Sequence, residues 1–317
     1  MKNILCYIID NLMSVIIKTE SLSKVYHSRH KDVQALDKLT LEVEAGYIFG
    51  YLGPNGAGKT TTINLLLDFI KPTEGRAWLL GKEIGDIKTK EKIGFLPENP
   101  YFYTYLTAVE FLDFFGRIFH LDAPTRKTRI EKLLEMVGLD KERKTTLKGF
   151  SRGMLQRIGI AQALINDPEL IFLDEPIAGL DPIGRREIRE LIKKIKAQNK
   201  TVFFCSHILS DVEQICDRVA IIKQGRLIDQ GPLNKLLQVK EIEITGRELN
   251  SETREVLGKL SKKISQVDSN WQIIIEREDQ VPIVLDIIQK GGGRYLAVVP
   301  HKQTLEELFF SDIEKDA

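Results

Sequence analysis

One stretch of the chain has residue types and spacing that suit the binding of phosphate, "GPNGAGKTT" at positions 53–61. It matches the pattern GxxxxGK[ST] and stands between a predicted strand, "YIFGYL", and a predicted helix, "TTINLLLDF". Glycines let backbone amides point at phosphate oxygens, the helix N-terminus adds its dipole, and Lys59 neutralises phosphate charge. The sequence therefore predicts an ATP site formed by Gly53, Pro54, Asn55, Gly56, Ala57, Gly58, Lys59, Thr60 and Thr61.

A pair of carboxylates follows the hydrophobic run "LIFLDEP". Asp174 and Glu175 stand where that strand ends, at the edge where α/β sheets bind ligands. Asp174 and the Thr60 hydroxyl are expected to hold Mg²⁺, and Glu175 is expected to polarise the water that attacks the γ-phosphorus. An acidic pair after a strand is by itself more often a solvated turn, and the phosphate-binding stretch favours the catalytic interpretation.

A second candidate phosphate-binding element is "FSRGM" at positions 150–154. Ser151 and Gly153 stand at a predicted helix N-terminus, where a hydroxyl, backbone amides and the helix dipole can bind an anion together. Taken alone, this stretch is more often an ordinary serine-capped helix. Its place, one helix before Asp174, favours a functional interpretation.

At these residues the sequence resembles the nucleotide-binding subunits of ABC transporters. That family carries a signature, usually LSGGQ, one helix before the Mg²⁺-binding strand, and "FSRGM" occupies that place before "LQRIGIAQALINDPELIFLDEP". Arginine replaces the first signature glycine. The resemblance implies that two ATP molecules are clamped between two head-to-tail copies, with each ATP on Lys59 of one copy contacted by signature residues of the other: Ser151, Arg152, Gly153 and Met154.

The resemblance assigns four further positions, each of which also has an ordinary structural explanation. Tyr26 would stack on adenine, although a tyrosine on a strand is common. Glu98 stands where the family commonly has glutamine and would contact Mg²⁺ and the transmembrane partner. Asp181 in "AGLDP" would reach across the dimer, and His207 in "CSHILSDVE" would contact the γ-phosphate and position the attacking water.

The elements that position these residues can be predicted from hydrophobic patterning. Alternation over about 14–45 predicts a β-rich opening, and the apolar runs "KIGFLP", "LIFLDEP" and "TVFFCSH" predict strands buried in a mainly parallel sheet. Between the first two runs, positions of about 98–165 predict an inserted helical subdomain. Thr107 and Glu110 form a capping box there, and Gly138 ends a helix.

The fold class expected is α/β, a P-loop NTPase with an ABC-type β-subdomain, the inserted helical subdomain and a small C-terminal α/β domain. Ser210 and Glu213 are predicted to cap a helix. The stretch "RVAIIKQGRLIDQG" is predicted to form a hairpin that turns at Gln224 and Gly225. We expect a leader at 1–13, with Met13 as the working start, an ATPase domain at 14–232 and the C-terminal domain at 236–317.

Composition excludes several classes of protein. The formal net charge is +1, so no long-range field attracts nucleic acid, and we expect no direct nucleic-acid partner. Cys6, Cys205 and Cys216 have no metal-binding spacing and fit a reducing compartment. No apolar run approaches the roughly 20 residues that a membrane span needs.

These observations predict an Mg²⁺-dependent ATPase subunit of an ABC exporter, working as a homodimer, or as a heterodimer with a related ATPase. By resemblance it would act on a separate transmembrane permease and be cytoplasmic, held peripherally at the inner face of the cell membrane. The alternatives are a soluble ABC ATPase acting on ribosomes or DNA, and a P-loop kinase. The sequence does not select the transported substrate, nor whether the C-terminal domain stabilises the dimer, senses a ligand or contacts the permease.

Overall fold

The computed structural model describes residues 15–27, 31–237, 239–302 and 304–306. The expected leader and Met13 lie outside these residues. The chain divides into two compact units, Met1–Leu233 and Asn234–Ala317. Within the described ranges, no helix is both long enough and apolar enough to cross a membrane.

The secondary structure of the first unit alternates strands and helices. Its strands are β1 (Val15–Tyr26), β2 (Val33–Glu44), β3 (Ile48–Leu52), β4 (Glu74–Leu79), β5 (Lys82–Glu83), β6 (Ile93–Leu96), β7 (Leu170–Asp174), β8 (Thr201–Ser206), β9 (Arg218–Lys223) and β10 (Arg226–Pro232). Its helices are α1 (Lys59–Leu66), α2 (Ile87–Lys90), α3 (Ala108–Ile118), α4 (Ala123–Met136), α5 (Arg152–Ala163), α6 (Pro182–Lys196) and α7 (Leu209–Ile215), and α8 (Leu233–Leu236) stands at the unit boundary.

A six-stranded sheet with the order β10-β9-β3-β8-β7-β6 forms the centre of this unit. Its pairs from β9 to β6 are parallel, and β10 pairs antiparallel with β9. Every residue of β3, β7 and β8 is buried, as expected for strands covered on both faces. The predicted α/β class is confirmed, and the carboxyl ends of β3, β7 and β8 lie at one edge.

A second sheet, antiparallel and ordered β2-β1-β4-β5, shares one hydrophobic core with the central sheet. Ile17 and Leu41 come from the antiparallel sheet, Ile63 from α1, and Phe172 and Phe203 from the central sheet. The β-rich opening was predicted, whereas the short strands β4 and β5 were not. The shared core fixes the loop before α1 against both sheets.

Helices α3, α4 and α5 fall within the stretch predicted to be helical. Thr107 and Glu110 form the predicted capping box at the start of α3: the Thr107 N–H donates to the Glu110 carboxylate over 2.8 Å. Gly138, just after α4, has φ +66°, as the predicted helix end requires. The predicted hairpin turn is also present, since Gln224 and Gly225 have φ +50° and +79°, the conformation of a type I′ turn.

The predicted cap at Ser210 is wrong. Helix α7 begins at Leu209, its N-cap is Ile208, and no side chain accepts a cap hydrogen bond. The Ser206 hydroxyl accepts a hydrogen bond from the Ile208 N–H over 3.0 Å. This bond turns the chain earlier than the Ser-x-x-Glu pattern indicates, so that Ser210 lies inside the first helical turn.

The second unit is a four-stranded antiparallel sheet with two helices. Its elements are β11 (Val239–Arg247), α9 (Ser251–Leu260), β12 (Lys263–Val267), β13 (Asn270–Ile275), α10 (Val281–Lys290) and β14 (Arg294–Lys302). The sheet order β12-β13-β11-β14 with antiparallel neighbours is the ferredoxin-like βαββαβ arrangement.

Candidate nucleotide site

The loop between β3 and α1 has the shape that a phosphate-binding loop needs. Gly58 has φ +106°, a conformation that L side chains rarely adopt. A Cβ on Gly53 would lie 2.4 Å from the Ile222 carbonyl oxygen, so only glycine fits there. The first turn of α1 carries no acidic side chain. Its N-terminal amides and dipole therefore favour an anion.

Lys59 is held over this loop and is only 7% exposed. Its Nζ donates to the Gly53 carbonyl oxygen over 2.7 Å and to the Pro54 carbonyl oxygen over 3.3 Å. The same Nζ lies 3.3 Å from Glu175 Oε1. Two carbonyls and one buried carboxylate thus fix the ammonium group where the loop closes.

Asp174, at the end of β7, is 1% exposed. Its Oδ2 accepts a hydrogen bond from the Thr60 hydroxyl over 2.9 Å, while its buried Oδ1 has no hydrogen-bond partner in the described residues. Burial raises the pKa of this carboxyl to about 6, and the charges of Glu175 and Glu98 act in the same direction, against the Thr60 hydrogen bond and Lys59. An unpartnered carboxylate oxygen beside a hydroxyl is a donor set that suits Mg²⁺.

That donor set is small. In the part of the chain that the structure describes, no three His, Cys, Asp or Glu side chains are grouped as metal ligands. Magnesium ions at phosphate sites are commonly bound by one or two carboxylates together with phosphate oxygens and water. Thr60 and Asp174 therefore fit an ion that arrives with a nucleotide.

Glu175 sits in a strained position between Lys59 and His207. Its φ is +51°, which is uncommon for a residue other than glycine. Its N–H donates to the Cys205 carbonyl oxygen over 3.1 Å, and its Oε2 lies 2.8 Å from His207 Nδ1. Because β7 and β8 are adjacent and parallel, the residues that follow them meet at the same edge.

An open cavity of about 300 Å³ joins most of the predicted binding residues. Its wall consists of Ala35, Asn55, Gly56, Gly58, Lys59, Thr60, Thr61, Glu98 and Glu175. Ala35 was missed, because an alanine carries no chemical signal in a sequence. Tyr26 is not part of this wall; its ring is 40% exposed and its centroid lies 5.4 Å from Lys24 Nζ.

A larger cavity of about 550 Å³ lies beside α4. Two of its cationic groups are engaged: Lys200 bonds Asp167, and Arg129 donates to the Ile165 carbonyl oxygen. It has neither a glycine-rich loop nor an orphaned carboxylate, so the smaller cavity is the better nucleotide site.

The signature residues and Asp181 are placed at helix starts outside that cavity wall. The Ser151 hydroxyl accepts from the Met154 N–H over 3.3 Å and caps α5. Asp181 accepts from the Gly184 N–H over 2.8 Å and caps α6. Nothing lies within 4 Å of a Cβ built on Gly153. The N-terminal turn of α5 is thus open for close approach.

Together, the glycine-rich loop after β3, the acidic residues after β7 and the histidine after β8 define a P-loop ATPase of the α/β class. The family pattern described as "ABC transporter" matches residues 36–178. The chain belongs to the ATP-binding proteins of ABC transporters, which hydrolyse ATP to power transport.

The similarity to known proteins extends beyond the nucleotide site. An uncharacterized ABC transporter ATP-binding protein of Synechocystis is 42% identical over 95% of this chain and 85% of its own. The Nod factor export ATP-binding protein I of Cupriavidus metallidurans is 33% identical over 90% of this chain and 93% of its own. The dimeric, post-hydrolysis structure of the ATP-binding cassette MJ0796 with ADP and Pi superposes with a TM-score of 0.63 at 26% identity, over 69% of this chain and 99% of that one.

Proposed function

We propose that this protein is the ATP-hydrolysing subunit of an ABC exporter, which closes as a dimer and drives a separate permease. The proposal is based on where the functional groups lie relative to the cavity. The wall of one cavity carries Lys59, Thr60 and Glu175. Asp174 and His207 lie outside that wall and contact Thr60 and Glu175, respectively. The Ser151 helix start also lies outside the wall and, in the part of the chain that the structure describes, makes no such contact. A second copy of the chain would supply that missing contact.

Phosphate binding is assigned to Lys59 and the surrounding loop. In the free protein the Lys59 ammonium pairs with Glu175 over 3.3 Å, and a bound γ-phosphate would compete for it. Thr60 and Asp174 would hold Mg²⁺, with Glu98 nearby on the cavity wall. The ion would supply positive charge that shields the phosphates. Tyr26 remains the proposed adenine contact.

Hydrolysis is assigned to Glu175 and His207. Once Lys59 turns to phosphate, the Glu175 carboxylate is free to orient a water and accept its proton. The His207 contact over 2.8 Å would hold Glu175 in its left-handed conformation. His207 would also reach toward the γ-phosphate, since its side chain is 41% exposed.

Dimer closure is assigned to residues at two helix starts. Ser151, Gly153 and Met154 would contact the partner's γ-phosphate through hydroxyl, amide and dipole, and Asp181 would meet the facing site. The relative with bound ADP and Pi is described as dimeric, which supports this arrangement. Whether the partner is identical or merely related does not alter the geometry.

Coupling to the permease is assigned to the surface that follows Glu98. Tyr101 and Tyr105 are exposed there, and an open cavity of about 400 Å³ is lined by Tyr103, Tyr105 and Phe114. An aromatic recess of this kind suits a short helix of a permease loop. The protein would then be cytoplasmic and peripheral to the membrane. The direction of transport is inferred from the export relative.

The proposal is tested with Glu175→Gln, which keeps the side-chain shape but removes the proton acceptor. The variant should bind Mg·ATP and dimerise, while turnover falls by at least about 100-fold, the usual contribution of a general base. Phosphate release and sedimentation velocity measure the two outcomes. Near wild-type turnover would remove Glu175 from its role, and a monomer at saturating Mg·ATP would overturn the dimer.

The permease assignment needs a separate experiment in native cells. The tagged full chain should fractionate with membranes and co-purify with an integral membrane protein. Tyr105→Glu, which places charge in the recess, should reduce that association. The control Ile87→Glu changes an exposed apolar side chain of α2 in the first unit. Co-sedimentation with ribosomes or DNA instead of membranes would favour the soluble alternative.

A further inference from the structure

Arg152, the first residue of α5, makes a contact that a signature glycine could not make. Its Nη2 donates to the Ala178 carbonyl oxygen over 3.1 Å. A Cβ built on Gly179 would lie 2.3 Å from the Cζ, Nη1 and Nη2 atoms of Arg152. The guanidinium therefore covers the Gly179 Cα while it bonds the preceding carbonyl.

The contacted segment leads directly to Asp181. Gly179 has φ +69°, so two independent features, its backbone conformation and the overlying guanidinium, favour glycine there. Two residues further on, Asp181 caps α6. One side chain thus joins the start of α5 to the loop that begins α6.

We propose that Arg152 is a positioning residue that latches segment 178–181 to the signature helix, so that Ser151 and Asp181 meet the partner subunit in a fixed relative position. The inference rests on the proposed dimer, because it concerns how one face of that dimer is held ready. Without the latch, the two elements must be ordered during closure, and that ordering opposes association.

The competing assignment for Arg152 is a direct cationic contact with the partner's phosphate. The geometry favours the latch, because Nη2 is already committed to a carbonyl oxygen and the planar group lies flat on Gly179. Planar stacking combined with directed donors is characteristic of arginine, and lysine reproduces it only in part. The two assignments respond differently to loss of charge and to a change at Gly179.

The experiment measures the Mg·ATP concentration at which half of the Glu175→Gln protein is dimeric, by sedimentation velocity. Adding Arg152→Gly should raise that concentration about 5- to 10-fold, as expected for the loss of one solvent-exposed hydrogen bond. Arg152→Gln, which keeps amide donors but no charge, should restore much of the loss, and Arg152→Lys part of it. Gly179→Ala should resemble Arg152→Gly because the methyl group displaces the guanidinium.

Two controls separate the latch from general damage. Gly81→Ala, at a glycine that shares a positive φ (+75°) but has nothing within 4 Å of its built Cβ, should leave dimerisation unchanged. Nucleotide affinity of the monomer, measured at protein concentrations too low for dimers, should be the same in every Arg152 variant. A merely structural role would instead change the melting temperature and monomer affinity together.

Each outcome bears on one idea. If Glu175→Gln dimerises and neither Arg152→Gly nor Gly179→Ala shifts the midpoint, the latch is wrong and the proposed function stands. If Arg152→Gln is as impaired as Arg152→Gly while Gly179→Ala is normal, the cation acts on phosphate and the latch is also wrong. If Glu175→Gln itself stays monomeric, the proposed dimer fails first.

Discussion

At the residue scale, the charged groups of the nucleotide site differ in how many hydrogen-bond and ion-pair partners they have. Lys59 has two carbonyl oxygens and Glu175 as partners. Asp174 has one hydroxyl for one oxygen and none for the other in the described residues. A buried carboxylate that lacks partners is costly. The strain at this site is therefore concentrated at Asp174.

This strain gives a pH-dependent prediction for Asp174→Asn in the nucleotide-free protein with EDTA. The folded-state pKa is about 6 against an ordinary 3.8, so the folded form holds the proton more tightly than the unfolded chain. Its relative stabilisation is complete below pH 3.8 and is lost as pH rises through 6. Asparagine does not titrate, so the variant does not lose this stabilisation as the pH rises. The variant should gain on the order of 2–3 kcal/mol over wild type at pH 8, with the difference shrinking toward pH 4.

Asp68→Asn is the control of opposite sign. The Lys71 hydrogen bond, with the charges of Lys71 and Lys90, lowers the pKa of Asp68 against the effect of burial. That stabilisation is present above the ordinary pKa and lost as pH falls, so this variant should be less stable at pH 8. Urea unfolding followed by Trp78 fluorescence, in a Trp271→Phe background, reports on the first unit. Equal behaviour of the two asparagine variants would contradict the assignment.

The sequence predicts which side chains lie together at this site, but not the contacts that they make with one another. Asp174 and Glu175 were predicted at this edge because they end a buried strand, and His207 was assigned to the same site by the family resemblance. The unpartnered Asp174 oxygen depends on packing within a few tenths of an ångström, which no motif encodes. The Tyr26 assignment came from resemblance and stays a prediction, and Ala35 lines the cavity wall without any signal in the sequence.

At the element scale, β6 and α5 approach so closely that Gly94 has no room for a side chain. A Cβ there would lie 2.1 Å from the Ala163 carbonyl oxygen. Gly94→Ala must push the strand and helix apart, and overpacking of this kind costs about 1–3 kcal/mol. Urea unfolding of the first unit measures the loss. Gly231→Ala, at a glycine with nothing within 4 Å of its built Cβ, should cost far less, and an equal cost in both would show that the contact does not limit packing.

Sequence patterns correctly predicted the elements whose order depends on residues close together in the chain. The buried strands β7 and β8 appear as continuous apolar runs, and Thr107 and Glu110 form the box that their spacing predicts. The Ser210 prediction failed because a nearby Ser206 hydroxyl competes for the same turn. Strands β4 and β5 were missed because they are short and mixed in polarity, and because β4 depends on pairing with β1 and β5 on pairing with β4.

At the scale of the whole molecule, the two units have separate cores. One large core cluster contains residues from Ile16 to Ile222, and another contains residues from Ile242 to Ile288. The sequence predicted a separate C-terminal α/β domain, but not its βαββαβ order. Strand order depends on long-range pairing, which short apolar segments do not specify.

Because the cores are separate, we expect a substitution that destabilises one unit to leave the other unit's properties unchanged. Ile273→Ala removes a fully buried side chain of β13 and should destabilise the second unit by about 2–5 kcal/mol. Amide exchange should speed up in β11–β14, while ATP affinity is unchanged. Val267→Ala, at a half-exposed site, should change the amide exchange rates of these strands very little. A matching loss of ATP affinity in Ile273→Ala would show that the units are coupled.

The thiols of Cys205 and Cys216 have a practical consequence. Both are buried, and burial raises the pKa of each thiol well above its usual range, so the thiolate that reacts with alkylating reagents is scarce. With Cys6 replaced by serine, a single cysteine engineered beside Asp181 should take up a maleimide fluorophore selectively. Energy transfer between two labelled copies would then report whether Mg·ATP brings the proposed pair together.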